Sequence, residues 1–136
     1  MNIYHFGFDS SAALATADDR LQRIAHKVLL IKDHSILKGH RPENEQNEAF
    51  EDGNSKLQWP TGKHNAEPSK ALDVQTYPRP PYEGDLRSEQ FYLLGLYVGI
   101  GAELGIELIT GADWDDDGEV TDNGWDDLFH VEIVGD

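Results

Sequence analysis

Lys63-His64-Asn65-Ala66-Glu67-Pro68-Ser69-Lys70-Ala71-Leu72-Asp73-Val74 runs from a turn-rich loop into an alternating strand, with a histidine before that boundary and an aspartate after it. Far downstream, Trp125-Asp126-Asp127-Leu128-Phe129-His130-Val131-Glu132 adds a second histidine. Two imidazoles and one carboxylate make a three-ligand zinc set with one tetrahedral position open, the position at which a catalytic zinc carries its water. Asp127, three residues before His130, stands beside this set as a carboxylate placed to take the water's proton. The pattern is that of a zinc hydrolase. Taken singly, His64 or His130 would be an ordinary polar histidine, and only their combination with Asp73 points to a metal. His5, His26, His34 and His40 fit no ligand pattern and read as surface or edge residues. Trp59, Trp114 and Trp125 read as core before they read as a substrate platform.

Size and charge narrow the choices. A chain of 136 residues makes one domain with a real core and leaves no room for an appended binding module. The absence of cysteine excludes disulfides and thiolate metal sites, so a transition metal must be held by His, Asp and Glu. The formal net charge of −15 disfavours nucleic acid and anionic membrane surfaces as partners. The N-terminal Met1-Asn2-Ile3-Tyr4-His5-Phe6-Gly7 shows no signal peptide. The longest apolar run, Phe91 to Ile100, is too short and too glycine-rich for membrane insertion.

Leu14, Leu21, Ile24 and Val28 recur at helical spacing and predict one helix over 11–30, capped by Ser10 or Ser11. A short strand follows at 35–39. Pro42 and Gly53 bracket a helix over 42–52. Residues 54–68 read as loop and 71–75 as a strand. Three prolines between Tyr77 and Tyr82 exclude helix and central strand there. A long helix spans 85–105, and its Gly95, Gly99 and Gly101 suggest close packing against a neighbour. Strands are expected at 106–110 and 131–134. The fold class is α+β, a small and mostly antiparallel sheet flanked by helices, with both ligand segments at strand ends.

Several motifs now occur together and in order. Gly39-His40-Arg41 is followed by Gln46 in the next helix. His64 precedes Ala71-Leu72-Asp73, Gly111-Ala112-Asp113-Trp114 follows a strand, and Asp127-Leu128-Phe129-His130-Val131-Glu132 closes the chain. With these the sequence resembles the zinc D,D-peptidases, and in particular their short bacteriophage branch, the L-alanyl-D-glutamate endopeptidases that serve as endolysins. The resemblance covers nearly the whole chain. It implies the zinc D-Ala-D-Ala carboxypeptidase-like (hedgehog/DD-peptidase) fold as a single catalytic domain over 1–136, without a cell-wall-binding domain and acting as a monomer on peptidoglycan. It implies zinc held by His64, Asp73 and His130, Asp127 as general base, and Arg41 on the oxyanion or a substrate carboxylate. Gln46 would orient the substrate or Arg41. Glu132, alternating with His130 along the strand, is read as facing away in a structural role. Two departures stand out: Gly62 occupies a position where the family often has Ser, and the spacer between His64 and Asp73 is longer by about the length of Glu67-Pro68-Ser69. D-alanyl-D-alanine carboxypeptidase activity, or a virion structural protein that keeps the metal-binding fold, are the competing readings. Location in the host cytoplasm before release to the cell wall, or in the virion, fits the missing signal peptide.

One segment lies outside this resemblance. From Asp113 up to, but not counting, Asp127 stand six aspartates and a glutamate, and Asp113-Trp114-Asp115-Asp116-Asp117-Gly118 has the opening of a calcium loop. Asp113, Asp115, Asp117, Glu119 and Asp122 are the candidate oxygen donors. Gly124 stands where an EF-hand carries its bidentate glutamate, so the alternatives are an EF-hand-like calcium site or a solvated acidic turn.

Overall fold

The computed structural model describes residues 3–55, 57–120 and 127–135. Among these, four strands form one antiparallel sheet in the order β1-β2-β4-β3. They are β1 (His34–Lys38), β2 (Ala71–Thr76), β3 (Leu108–Gly111) and β4 (Asp127–Ile133). Four helices accompany them: α1 (Phe8–Leu14), α2 (Asp19–Leu29), α3 (Glu43–Glu51) and α4 (Glu83–Glu103). The core lies between the sheet and the pair α2/α4. Leu21, Ile24 and Val28 of α2 meet Leu93, Leu94 and Tyr97 of α4 over Leu72 and Val74 of β2 and Val131 and Ile133 of β4. These apolar positions repeat at 3–4 residues in the helices and at 2 in the strands, so each element buries one face.

The helix expected over 11–30 is two helices. Residues between Leu14 and Asp19 take partners from a distant segment instead of continuing the ladder. Ser69 N donates to Thr16 O at 2.9 Å, and Asp18 N donates to Ser69 O at 2.9 Å. Asp18 then restarts the helix as its N-cap, accepting from Arg20 N at 2.9 Å. The Arg20 guanidinium at 2.9 Å outweighs burial and, with Lys70 at 2.8 Å, holds the Asp18 carboxyl far below the usual carboxylate range. Neither serine caps α1. Gly7 is its N-cap, Ser10 Oγ accepts from Ile36 N at 3.0 Å to tie the helix to β1, and Ser11 Oγ donates to Phe6 O at 3.3 Å.

Elsewhere the boundaries shift by small amounts. Pro42 is the N-cap of α3 and not its first residue. The strand expected over 106–110 begins at Leu108. The last strand starts at Asp127 and not at 131, because polar Asp127 and His130 conceal its beginning. Of Gly95, Gly99 and Gly101 in α4, only Gly101 is at a close approach: a Cβ there would lie 2.8 Å from Ile106 O. Gly95 and Gly99 face open space, so close packing does not account for them. No helix among the described residues is long and apolar enough to cross a membrane.

His34 is a correction of a different kind. It lies on edge strand β1 but is buried, 2% exposed, and so is not a surface residue. Its Nε2 lies 2.7 Å from the hydroxyl of buried Tyr97, and its Nδ1 lies 2.9 Å from Lys32 O. Burial pushes its pKa down to about 4, so the folded state keeps it neutral and the unfolded state binds the proton first. The stabilisation is therefore present above the unfolded pKa near 6.5 and is lost as pH falls toward 4. On lowering pH from 7 to 5, wild type should lose about 2 kcal/mol more stability than His34→Gln, by denaturant titration of both at each pH. Equal losses would show that His34 does not carry this dependence.

Candidate metal centre

The pairing of β2 with β4 sets Asp73 directly across from His130. His64 arrives from the single 3₁₀ turn Lys63–Asn65, which precedes β2. Its Nε2 lies 3.3 Å from Asp73 Oδ1, and His130 Nδ1 lies 3.6 Å from the same oxygen. The three donor atoms fall within 4.8 Å of one another. His64 Nε2 is buried and makes no hydrogen bond, which an apolar interior would penalise unless another electrophile takes the lone pair. The far nitrogens of both rings are engaged: His64 Nδ1 with Gly39 O at 2.7 Å and His130 Nε2 with Glu132 Oε1 at 2.8 Å. Those acceptors keep the protons on the outer nitrogens and turn the inner lone pairs toward Asp73, the arrangement that orients metal-binding imidazoles. The donors present therefore fit a small divalent cation.

The support for His64 comes from Gly39 to Arg41. A Cβ on Gly39 would run into the Ala13 carbonyl and the Thr16 hydroxyl, so only glycine lets the chain pass α1 and aim its carbonyl at His64. Arg41 N donates to His64 O at 2.7 Å, closing the other side. Arg41 Nη1 donates to Gln46 Oε1 at 3.1 Å, and its Nη2 lies 3.6 Å from Asp73 Oδ2. Gln46 is buried, and its amide is committed: the oxygen also accepts from Asn65 Nδ2 at 3.1 Å, while the nitrogen donates to Ser55 Oγ at 2.9 Å and to Leu57 O. A Cβ at Gly62 would stand 2.8 Å from Asn65 Oδ1, and Gly62 N donates to that oxygen at 2.9 Å. The departure from serine at 62 is thus matched by Asn65.

Asp127 lines the same pocket, of about 130 Å³, as His64, Asp73 and His130. Burial, and then the charge of Asp73, raise its carboxyl above the ordinary aspartate pKa. Asp73 moves the other way. Burial opposes its ionisation, but the close imidazoles of His130 and His64 keep it well below the usual range. Burial likewise opposes charge on His130, yet Asp73 and Glu132 push it up to about 9.

Glu132 does not face away. Residues two apart on a strand share a face, so Glu132 lies beside His130 and holds its outer nitrogen; that period was the signal for it. Trp114 is only half-buried, and its ring centroid lies 5.3 Å from that of His130. Trp59 is also half-buried, so neither belongs to the core, and Trp125 lies outside the described residues. The candidate calcium donors divide similarly. Asp113, Asp115 and Asp117 bring carboxylate oxygens within 4.8 Å of one another, in a loop that turns through Gly118 at φ +84°. Asp113 accepts from Gly118 N at 2.9 Å and Asp117 from Glu119 N at 2.8 Å. Glu119 is exposed, and Asp122 lies outside the described residues.

The small antiparallel sheet and the donor pocket at the β2–β4 pair belong to a D,D-peptidase-like fold. The family model of the phage L-alanyl-D-glutamate peptidases matches residues 2–134, and the chain belongs to that family. It is 30% identical over 137 residues to the L-alanyl-D-glutamate peptidase of Escherichia phage T5, covering 96% of this chain and 98% of that one. In fold it is similar to the L-Ala D-Glu endopeptidase ChiX of Serratia marcescens, with a TM-score of 0.72, 20% identity, and coverage of 96% and 90% of the two chains.

If Glu132 fixes the His130 tautomer, Glu132→Ala should weaken metal affinity about 10–100-fold with the fold retained. Competition against a chromophoric chelator reads this directly. Unchanged affinity would leave Glu132 without a role at the centre.

Proposed function

We infer that the protein is a zinc-dependent peptidase that cuts the L-alanyl–D-glutamate bond of peptidoglycan stem peptides, as a phage endolysin. The observation that carries the metal is the convergence of His64 Nε2 and His130 Nδ1 on Asp73, with the outer nitrogens already occupied. Two nitrogens and one oxygen in a cysteine-free chain favour zinc. Family membership supports the bond. Zinc, when bound, polarises the peptide carbonyl and makes water nucleophilic near neutral pH. The chain's own groups do the rest. Asp127 accepts the water's proton and passes it to the departing amine. Its half-buried setting favours that role, because a raised carboxyl pKa lets the group hold a proton between the two steps. Arg41, steadied by Gln46, presents a permanent cation to the carbonyl oxygen or to a substrate carboxylate. Gln46 acts through Arg41, since its amide has no capacity left for substrate.

Asp127→Asn should retain zinc and fold while losing about 10²–10⁴-fold in hydrolysis of purified peptidoglycan, followed by mass analysis of released fragments. Undiminished turnover would move the base elsewhere. His64→Ala or His130→Ala that still binds a full equivalent of zinc would remove those residues as ligands.

Calcium is a second cofactor in this reading. The three clustered aspartates repel one another in an otherwise acidic chain, and a hard cation with oxygen ligands would relieve that. The loop leads within a few residues to Asp127, so its order would be passed to the base. Activity at fixed zinc should rise with calcium in wild type and not in Asp115→Ala/Asp117→Ala. Activity indifferent to calcium in wild type would reduce the loop to an acidic turn.

A further inference from the structure

Asn65 follows His64 in the chain and has no role in the function proposed above. It is buried, 5% exposed, and both N–H bonds and the oxygen of its amide are engaged. Nδ2 donates to Arg41 O at 3.0 Å and to Gln46 Oε1 at 3.1 Å, and Oδ1 accepts from Gly62 N at 2.9 Å. We propose that Asn65 is a positioning residue of the peptidase, holding Arg41 directly by its backbone carbonyl and, through Gln46, by its guanidinium. The inference rests on the peptidase reading, in which Arg41 meets the substrate, and adds to it the residue that fixes where Arg41 points.

Three observations carry this. The first is that the two amides have only one orientation open to them. Gly62 N can only donate and Arg41 O can only accept, so Asn65 turns its oxygen to the first and its nitrogen to the second. Gln46 is fixed likewise: its nitrogen faces Leu57 O, which leaves its oxygen for two donors, Arg41 Nη1 at 3.1 Å and Asn65 Nδ2. The second is that Arg41 is gripped at both ends from one turn of chain. Its N donates to His64 O at 2.7 Å, its O accepts from Asn65, and its Nη1 ends on the oxygen that Asn65 also holds. The other edge of the guanidinium is looser. Nη2 stands 3.6 Å from Asp73 Oδ2, a separation that attracts without the directional hold of a hydrogen bond. The aim of Arg41 therefore comes from the Gln46 side. The third is space. A Cβ on Gly62 would lie 2.8 Å from Asn65 Oδ1 and 3.4 Å from Gln46 Oε1, so the bare backbone at 62 is what lets Asn65 turn its nitrogen toward Arg41 and Gln46. With its amide committed, Asn65 has nothing to offer a substrate and acts through Arg41.

The test uses zinc-loaded protein, a synthetic N-acylated peptide that contains the L-alanyl–D-glutamate bond, and a double-mutant cycle of Asn65→Ala with Arg41→Ala. Asn65→Ala should lower kcat/KM by about 10-fold or more while Arg41 is present, the order of loss that follows a misplaced group at the site. In the Arg41→Ala background the same change should cost less than about 2-fold, because effects that pass through one side chain do not add. Zinc affinity, read by chelator competition, should be spared the roughly 10–100-fold loss that follows removal of a ligand's own support, because Gly39 O holds His64 independently. If Asn65→Ala does not fold, Asn65→Ser, shorter by the amide that reaches Gln46, takes its place in the cycle. A readout independent of activity is the water exchange of the Arg41 guanidinium protons, followed by NMR and assigned by the loss of their signal in Arg41→Ala. Their exchange should be about 10-fold faster in the Asn65 variant, as the loss of one hydrogen bond's net stabilisation predicts. An equal loss of kcat/KM with and without Arg41, a fall in zinc affinity, or unaltered exchange overturns the positioning role and leaves the peptidase reading standing. A wild type that cleaves no such peptide overturns the peptidase reading, and the exchange measurement then decides alone whether Asn65 holds Arg41.

Discussion

The β2–β4 register is the constraint on which the site depends. Asp73 and His130 are direct partners across that pair, and a slip of one residue would turn one donor to the opposite face. The register is held by more than its own ladder. Gln90 of α4 is 1% exposed, and its amide reaches both strands, donating to Val74 O at 3.0 Å and to Leu128 O at 2.9 Å. Its oxygen accepts from Thr76 N at 2.7 Å. One buried side chain thus fixes β2 and β4 relative to each other and to the helix above them. At the same end of β4, Gly111 sits opposite Asp127, and a Cβ there would collide with the Asp127 backbone. That close approach lets β4 begin early enough to carry Asp127 to the pocket.

The electrostatics of the centre follow from crowding carboxylates around imidazoles. Burial alone would discharge Asp73 and His130. Instead His130 lies between Asp73 and Glu132, and its proton is held up to about 9. The two carboxylates that favour a proton on His130 favour a divalent cation in its place, so metal uptake would displace protons and depend on pH. Asp127 is close enough to feel Asp73 as a like charge yet is not among the converging donors. A group so placed takes up protons more readily than a free aspartate while leaving the ligand set intact, which is the division of labour that separates a base from a ligand.

How far this could be read from the chain varies with the range of the interactions. The three converging donors and the arginine behind them were legible, because motif order and residue chemistry are local properties. The antiparallel α+β plan was legible from its two periodicities. The break between α1 and α2 was not: Asp18, the N-cap of α2, is anchored by Ser69 and Lys70, and no local signal outweighed the helical spacing of Leu14, Leu21 and Ile24. His34 failed for the same reason, since its partner Tyr97 lies on a distant helix. Glu132 was misplaced although its two-residue spacing from His130 was in plain view. The acidic loop was legible as a cluster because its carboxylates lie two residues apart, and Asp113, Asp115 and Asp117 do converge.

The placement of charge around the pocket that Asp127 lines suggests why the chain tolerates such an acidic surface. An anionic substrate approaching a chain of net charge −15 is repelled at long range, although salt screens that repulsion beyond about 10 Å. What remains is short-range, and there the charges are arranged differently. Arg41 borders the donor pocket, and Asp113, Asp115 and Asp117 cluster on a separate segment. Binding would then depend on contacts made only after the peptide lies across Asp127 in one direction. Selection by placement in this way costs association rate and gains orientation, and orientation is what a proton delivered to one particular amine requires.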